Sequence, residues 1–358
     1  MPALDVQLSA LGDQSVLADR WQGLEARSQG SFFLGWTWMG AWLATTGARP
    51  ELLSVQSDRR DIALALIGHG MARRPLGRVP TLFLNQAGDR PADRAFIEYN
   101  GVLKSDDASE GTEAAIMRQL FRRNDWRVLR LAGMLSDAPF AAAGPFHRRI
   151  VTSRSPAYFV DLDAVRVAKG DYLSLLSANS RGQIRRSMRE YGGDDLHVTR
   201  ASTVVEANGW LAEMMTLNAG RHADNAWDEP LFQAFAHALV LRGMDNGEVE
   251  LLRVAQGGHI LGYLLNFVYR GRAMNYQSAF APGLSSKAKP GLMCHVAAVA
   301  RYADMECSLY SLLAGNDQYK QSLSTGHEIL QWWNMERFSP MLEVEHLLRR
   351  IFRRPVCA

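Results

Sequence analysis

The stretch SSKAKPGLMCHVAAVARYADM, residues 285–305, joins a basic loop to an apolar pattern of helical period. Pro290 and Gly291 stand where this helix would begin. Proline is tolerated in the first turn of a helix, and glycine lets a ligand approach the backbone closely. Lys287 and Lys289 add positive charge beside the amides that a helix start leaves unpaired. The pattern therefore predicts an anion-binding site at the start of this helix.

The pattern of elements around this stretch occurs twice. Each half reads as a hairpin, a further strand, a loop, a helix and a closing strand, with the second helix predicted over residues 292–305. The loop of the first half, KSDDASEG at residues 104–111, is acidic, whereas residues 285–291 contain two lysines and no acid. Acidic side chains can satisfy the amides of a helix start from within the chain. We therefore expect free loop amides, and a phosphorylated ligand, in the second half only.

The composition is that of a globular protein large enough for two domains. Of its 358 residues 47% are hydrophobic and 22% charged, and the net charge of +3 is too small to indicate a nucleic-acid-binding protein. The three cysteines form no disulfide framework and no CxxC pair, which favours a reducing cytoplasm. The N-terminus shows no signal-peptide pattern. The aromatic stretch at residues 31–47 is too short and interrupted to span a membrane, so we expect a buried helix.

A second cluster of candidate residues follows the last strand of the repeat. In AGNDQYKQSL, residues 314–323, Gly315 ends a strand and Asn316 is a candidate helix cap. Tyr319 and Lys320 would then lie in the first turn of a short helix, near the sheet edge where open sheets commonly bind ligands. Taken alone, each of these two residues is more typical of an exposed surface position.

The C-terminal segment, residues 341–358, is predicted to form a basic amphipathic helix. Its apolar stripe at helical spacing consists of Met341, Val344, Leu347, Leu348 and Ile351. Most such stripes pack on their own domain. The alternative is peripheral contact with the inner membrane face, because four arginines lie near the end of the segment. The predicted cytoplasmic location therefore includes that surface.

Several features of the second half carry a family resemblance. They are HILGYLLNFVYRGRAMNYQSAFAP at residues 259–282, the Pro290-Gly291 pair, Gly315 and the Tyr319-Lys320 pair. In this order they resemble the GNAT acyltransferase superfamily and, more narrowly, the CelD/BcsL-type acetyltransferases, which are related to the Fem-type peptidoglycan aminoacyltransferases. The resemblance implies an α+β fold with tandem GNAT-like domains, each a mixed, mostly antiparallel sheet flanked by helices.

The expected division is a degenerate GNAT-like domain over residues 1–150, an acyl-CoA-binding GNAT domain over residues 151–340, and the terminal helix. A linker is predicted near residues 144–156, where Gly, Pro and Ser cluster. The resemblance implies transfer of an acyl group, expected to be acetyl, from acyl-CoA or an acyl-carrier-protein thioester. The acceptor would be an amine or hydroxyl of a small molecule or envelope saccharide, and no metal is expected.

The resemblance also assigns candidate site residues. Cofactor binding is expected from Lys287, Lys289, Pro290, Gly291, Leu292, Met293 and Asn316. Catalytic roles are expected for Tyr319 or Tyr276 as the acid that protonates the leaving thiolate, and for Lys320. A backbone amide between residues 276 and 279 is expected to bind the oxyanion. Substrate contacts are expected from Arg185, Arg221, His222, Trp227 and Gln277.

A basic helix is predicted over residues 171–191. Arg181, Arg185 and Arg189 recur at four-residue intervals on one face, with Arg186 beside them. A solvated face is the simplest interpretation, and contact with an anionic acceptor or the CoA 3′-phosphate is the functional alternative. Nucleic acid is not expected as a partner, because no aromatic residues are interleaved with these cations.

Two departures from the family pattern leave alternatives open. The glycine-rich pyrophosphate loop, Arg/Gln-x-x-Gly-x-Gly/Ala, is absent, and Ser311 stands where relatives often carry an acid. No general base is identified, although His222 and Asp224 are candidates. The alternatives are a non-catalytic CoA-binding protein and a Fem-type transferase that uses aminoacyl-tRNA. The second is disfavoured because the sequence has no long charged heptad run.

Overall fold

The computed structural model describes residues 4–193, 195–221 and 224–352. The chain forms two compact units. Unit 1 consists of Met1–Trp36, Gly47–Arg154 and Gln331–Ala358, and unit 2 consists of Thr37–Thr46 and Ser155–Leu330. The predicted division at residue 150 differs from these units in two ways. Thr37–Thr46 belong to unit 2, and Gln331–Ala358 belong to unit 1.

The strands are β1 (Asp5–Ala10), β2 (Glu51–Ser57), β3 (Arg60–Arg74), β4 (Gly77–Leu84), β5 (Leu103–Lys104), β6 (Val128–Leu135), β7 (Arg148–Asp161), β8 (His197–Arg200), β9 (Val249–Gln256), β10 (His259–Tyr269), β11 (Arg272–Phe280), β12 (Leu309–Ala314) and β13 (Gly326–Glu336). The helices are α1 (Gln14–Glu25), α2 (Trp36–Thr46), α3 (Thr112–Arg122), α4 (Pro139–Ala142), α5 (Leu162–Val167), α6 (Ala178–Glu190), α7 (Val204–Asn218), α8 (Pro230–Gly243), α9 (Pro290–Asp304), α10 (Gln318–Leu323) and α11 (Pro340–Phe352). The helix predicted over residues 292–305 thus begins two residues earlier, at its proline.

Unit 1 contains a sheet in the order β1-β2-β3-β4-β6, followed by residues of β13. Neighbouring strands are antiparallel up to β4, whereas β4 and β6 are parallel, paired from Thr81–Val128 to Phe83–Arg130. Parallel neighbours need a crossover connection, which α3 provides. Ile116 and Leu120 of α3 are fully buried in the core of this unit.

Unit 2 repeats this arrangement, with the strand order β7-β12-β11-β10-β9-β8. The strands from β8 to β11 are antiparallel, and β11 and β12 are parallel with α9 as their crossover. β12 and β7 are antiparallel again. The predicted α+β fold class, with mostly antiparallel sheets flanked by helices, is confirmed.

Residues 144–156, predicted to be a linker, instead contain the first part of β7. Thr152 Oγ1 donates to the carbonyl of Trp332 in β13 at 3.1 Å. Pairing with a distant strand therefore decides the conformation of this stretch, and its Gly, Pro and Ser content is misleading.

Helices cover both faces of the sheet in unit 2. Asn266 of β10 donates to Tyr302 of α9 at 2.9 Å, whereas the next residue, Phe267, packs against Trp38 of α2. Consecutive side chains of a strand point to opposite faces, so α9 and α2 lie on different sides. The aromatic helix α2 is buried, as predicted. Within the described ranges, no helix is both long and apolar enough to cross a membrane.

The terminal helix α11 is held on unit 1 by charged pairs. Its buried Glu345 accepts from Arg74 at 3.1 Å, and His346 Nε2 lies 2.8 Å from the buried carboxylate of Glu336. Three members of the predicted apolar stripe are exposed: Val344, Leu347 and Ile351. The prediction that this stripe packs on its own domain is therefore wrong for these three, because Leu342 and Glu345 occupy the inner face.

Candidate active site

The parallel strands β11 and β12 pair only at their beginnings. Their register ends at Met274–Ser311, although β11 continues to Phe280 and β12 to Ala314. The other edge of β12 remains paired with β7 as far as Ala157. In the described ranges no strand pairing joins the two ends, so an opening separates them. We call this opening, with the starts of α9 and α10 beside it, the β11–β12 slot.

A one-residue bulge interrupts β11 at the slot. Leu265 pairs with Gln277 and Asn266 pairs with Asn275, so Tyr276 has no residue opposite it. A bulge bends the strand and re-aims its backbone groups. The corresponding strand of unit 1, β4, pairs with β3 in unbroken register. The amides predicted to bind an oxyanion therefore lie at an irregularity that β4 lacks.

Most N–H groups in the loop before α9 already have hydrogen-bond acceptors within the chain, contrary to the expectation of free loop amides. Ser285 Oγ accepts from the N–H of Lys287 at 3.1 Å. Ser187 Oγ of α6 accepts from the N–H of Lys289 at 3.0 Å. Pro290 has no N–H to offer. The partners are side chains that the local pattern did not identify.

The first turn of α9 offers a ligand the amide of Gly291. Leu292 and Met293 both direct their N–H groups at the carbonyl of Lys289, at 3.1 and 3.4 Å. In the described part of the chain, the Gly291 N–H has no such acceptor. A Cβ at Gly291 would lie 2.9 Å from the ring of Phe280. Glycine therefore keeps the backbone close to the aromatic wall of the slot.

Exposed cations lie in the loop before α9 and on α6. They are Lys287 and Lys289 of the loop and Arg185 and Arg189 of α6. Ser285 Oγ donates to the carboxylate of Glu190 at 2.6 Å, which ties α6 to the loop. The two arginines line a shallow pocket of about 290 Å³. Neither forms an ion pair with any residue that the structure describes.

A buried histidine that the sequence analysis missed lies at the slot. His295 Nδ1 is 3.0 Å from the hydroxyl of Tyr310, and its ring centroid is 5.7 Å from that of Tyr319, in a stacked arrangement. Its Nε2 is buried and has no hydrogen-bond partner among the described residues. Burial, followed by the charge of Lys320, lowers the pKa of His295 to about 3, so the ring is neutral at pH 7. An unsatisfied buried nitrogen is costly, so Nε2 needs a hydrogen-bond partner that the described residues do not supply.

Lys320 closes the end of β12. Its Nζ donates to the carbonyl of Ala314 at 2.6 Å. Gly315 has φ +150°, a backbone conformation that favours glycine, and a Cβ there would lie 2.7 Å from this Nζ. The N-cap position of α10 is Asp317 rather than Asn316, which is exposed in the preceding loop.

Tyr319 meets the needs of an acid at the slot. It is 37% exposed, so a ligand can reach it, and its ring stacks on His295. Desolvation and the nearby charge of Asp317 raise the pKa of Tyr319 above its ordinary value. The hydroxyl therefore carries a proton at neutral pH, and the raised pKa makes it a weaker acid than an ordinary tyrosine.

Tyr276 lies in a different environment from Tyr319. Its ring centroid is 4.8 Å from that of Phe267, 5.5 Å from Trp38 and 6.1 Å from Phe232. These rings belong to β10, α2 and α8. The structure therefore brings Tyr319 and Lys320 together on α10 and places Tyr276 in an aromatic cluster on the α2 side of the sheet.

The remaining substrate-binding candidates divide between this cluster and the surface. Trp227 packs against Phe232 at 5.1 Å, and its buried Nε1 has no partner among the described residues. Gln277 follows Tyr276 and is half-buried, whereas Arg221 is exposed. His222 lies outside the described residues.

Ser311 is buried in β12. Its Oγ accepts from the N–H of Leu313 at 3.1 Å, where Leu313 has φ +58°. The hydroxyl thus stabilises an irregular strand end.

The corresponding split in unit 1 is bridged by the chain. Asn85, after the end of β4, donates to Asn100 Oδ1 at 2.8 Å and to the Gly101 carbonyl at 2.7 Å. The N–H of Asn100 donates to the carbonyl of Gly133 in β6 at 3.1 Å. A Cβ at Gly133 would lie 2.6 Å from the carbonyl oxygen of Ile97. Residues 97–101 therefore occupy, in unit 1, the position that is open in unit 2.

The acidic loop of unit 1 does not cap α3, contrary to expectation. The N-cap residue is Gly111, which makes no side-chain cap hydrogen bond. Glu113, in the first turn, instead pairs with Lys104 at 2.5 Å. The contrast between the two loops therefore lies in their charge and not in the capping that we expected.

Residues 178–321, from α6 into α10, match the family model of the acetyltransferase (GNAT) domain. This span contains both strands of the β11–β12 slot and Tyr319. Over this span, the fold is that of an acetyltransferase (GNAT) domain.

Solved structures share this fold over most of the chain. The crystal structure of FemX has a TM-score of 0.59 at 9% identity and covers 91% of this chain and 98% of its own. The C-terminal domain (DUF2156) of a putative lysylphosphatidylglycerol synthetase from Agrobacterium fabrum has a TM-score of 0.56 at 11% identity, covering 95% and 96%. L-PGS from Bacillus licheniformis has a TM-score of 0.53 at 9% identity, covering 94% and 97%. No curated protein matches the chain. At such identities the likeness extends to the fold alone.

Proposed function

We propose that unit 2 transfers an acyl group from acyl-CoA, and that the β11–β12 slot holds the pantetheine arm of the donor. The observation that carries this proposal is the slot itself. It opens between two parallel strands, with a bulge in β11, the Gly291 amide at the start of α9 and the unsatisfied Nε2 of His295 beside it. A long donor with phosphates at one end and a thioester at the other suits such an opening.

The phosphate end would bind at the start of α9. The Gly291 N–H and the positive end of the helix dipole favour an anion there. Lys287 and Lys289 are close in sequence, exposed and able to turn toward a pyrophosphate. Arg185 of α6 is a candidate contact for the 3′-phosphate, because α6 is tied to the same loop.

The thioester would lie near the bulge. The acceptor nitrogen or oxygen attacks the carbonyl carbon, forms the new bond to the acyl group and releases its proton to solvent water. A backbone amide between residues 276 and 279 would stabilise the oxyanion. Collapse of the intermediate breaks the carbon–sulfur bond, and Tyr319 gives a proton to the leaving thiolate. Lys320 would steady the end of β12 through its bond to Ala314, next to the developing charge.

The acceptor would approach from the aromatic cluster around Tyr276. This side of the sheet offers the unpartnered Nε1 of Trp227 and the half-buried Gln277 as polar contacts. Aromatic rings with a few polar groups suit a small molecule or a saccharide. Among GNAT acyltransferases we propose the CelD/BcsL type, with an amine or hydroxyl as acceptor. A carrier-protein thioester shares the pantetheine arm and would use the same slot.

The first test is calorimetric titration of the chain with CoA and acetyl-CoA. We expect binding with CoA and, with amines and saccharides present, release of free thiol from acetyl-CoA. Binding without turnover across the panel would favour a non-catalytic CoA-binding protein. No binding of CoA or of acetyl-CoA would contradict the proposal. Transfer from an aminoacyl-tRNA would replace it by the Fem-type reaction.

A further inference from the structure

A chain of four hydrogen bonds joins β11 to a buried carboxylate in unit 2. Ser278 Oγ donates to Asn275 Oδ1 at 2.8 Å, and Asn275 Nδ2 donates to Asn266 Oδ1 at 2.8 Å. Asn266 Nδ2 donates to the hydroxyl of Tyr302 at 2.9 Å, which donates to Glu250 at 3.0 Å. We call this chain the Glu250 relay. Both asparagines, the tyrosine and the glutamate are buried.

All four donors of the relay point toward Glu250. Asn275 Nδ2 makes a second bond to the carbonyl of Gln277 at 3.3 Å, which fixes the orientation of that amide. Burial and the Glu250 charge raise the pKa of Tyr302, so its hydroxyl keeps the proton that it donates. It can then accept only from Asn266. The direction of the relay is therefore consistent at every member.

The anchor of the relay is held by cations. Arg301 Nη2 lies 2.7 Å and its Nε 3.2 Å from the two oxygens of Glu250. Arg200 approaches the same carboxylate at 3.9 Å. A carboxylate fixed in this way accepts bonds and donates none. The relay cannot reverse, and it cannot carry a proton, because asparagine amides do not exchange one along such a path.

The other end of the relay faces the slot. Ser278 is half-buried and makes no other side-chain hydrogen bond among the described residues. It shares a strand face with Phe280, two residues on, whose ring contacts α9 at His295 and Gly291. A hydroxyl that has donated its proton retains acceptor capacity. A chain of aligned hydrogen bonds strengthens that acceptor.

We propose that Ser278 Oγ accepts an amide N–H of the pantetheine arm and that the Glu250 relay strengthens and orients this acceptor. The inference rests on the proposed function and adds a recognition residue to it. An acceptor of fixed direction selects an N–H and disfavours a carbonyl or phosphate oxygen. Ser278 is thus a positioning residue that sets which part of the donor lies beside the bulge.

The test compares CoA with adenosine 3′,5′-bisphosphate, which lacks the pantetheine arm, by calorimetry. Loss of one charge-anchored hydrogen bond costs about 1.4 kcal/mol, or about 10-fold in affinity. We expect Ser278→Ala to bind CoA about 10-fold more weakly and the bisphosphate unchanged. Ser278→Thr keeps the hydroxyl and is expected to bind CoA within about 2-fold of the wild type.

The relay itself is tested by Tyr302→Phe, with Tyr263→Phe as a buried control on β10 outside the relay. We expect Tyr302→Phe to weaken CoA binding about 3-fold, and to add nothing when Ser278 is already alanine. Losses that multiply in the double variant, or equal CoA affinity for Ser278→Ala and the wild type, would overturn the inference. A wild-type chain that binds no CoA would instead contradict the proposed function, and the inference with it.

Discussion

The two units contain the same split between parallel strands and treat it in opposite ways. In unit 1, residues 85–111 connect β4 to α3, and their segment 97–101 ties the two strand ends together through Asn100. In unit 2, the much shorter residues 281–289 connect β11 to α9, and in the described ranges no backbone segment bridges the slot. One unit has filled the opening with its own backbone, and the other has kept it available.

This difference indicates which unit can bind a ligand. Backbone amides and carbonyls that are satisfied internally in unit 1 cannot hold a ligand without first breaking those bonds. Unit 2 instead keeps two unsatisfied groups near its slot, the Gly291 N–H and His295 Nε2. Substitutions in unit 2 should therefore change donor binding or turnover, and matched substitutions in unit 1 should not.

The largest expected effect is on turnover. Tyr319→Phe removes the hydroxyl that would protonate the leaving thiolate, and such acids contribute at least about 100-fold. We expect kcat for thiol release to fall about 100-fold with a small change in KM. Tyr99→Phe, in the segment that fills unit 1, is the matched control and should keep its rate. Equal rates for Tyr319→Phe and the wild type would clear this residue of an acid role.

The next effect is on donor affinity. Lys287→Glu with Lys289→Glu places two negative charges at the proposed pyrophosphate position. Loss of each exposed lysine–phosphate contact costs about 1 kcal/mol, and the reversed charges add repulsion. We therefore expect CoA to bind about 50-fold more weakly. The control reverses two exposed arginines of α3, Arg118→Glu with Arg122→Glu, and so matches the change in net charge. The prediction fails if both double variants show the same calorimetric affinity.

The smallest effect is a dependence of stability on pH. His295 has a pKa of about 3 in the folded chain and 6.5 as its ordinary value, so protonation favours the unfolded chain. The contribution of the neutral ring to the free energy of unfolding is complete above about pH 6.5 and is lost as the pH falls below that value. Between pH 7 and pH 5 the free energy of unfolding decreases by about 2 kcal/mol from this cause. In urea unfolding, His295→Phe should lack this slope, whereas the exposed His327→Phe should retain it. If the free energy of unfolding of His295→Phe depends on pH as that of the wild type does, His295 is not a buried neutral ring.

The local features of the slot were readable from the sequence. Pro290 and Gly291 marked the start of α9, and Gly315 marked the end of β12, because each reflects a backbone requirement at its own position. The repeated order of hairpin, helix and strand was visible for the same reason. What these signals share is that neighbouring residues determine them.

The missed features depend on partners far away in the chain. His295 sits in an apolar helix pattern, and only the fold shows that its Nε2 lacks a partner. The amide of Lys289 looked free because its acceptor, Ser187, lies on another helix. Polar residues inside apolar strands, such as Asn266 and Asn275, were the available signal for the Glu250 relay, but no local pattern connects them to Glu250.

Hydrogen–deuterium exchange of the chain with and without CoA shows whether unit 2, and not unit 1, holds the acyl donor. We expect CoA to slow exchange in peptides covering residues 275–281, 289–295 and 312–320. Peptides covering residues 77–84, 97–101 and 128–135 should exchange at the same rate in both states. Protection confined to those unit 1 peptides, or in neither set at saturating CoA, would contradict the account.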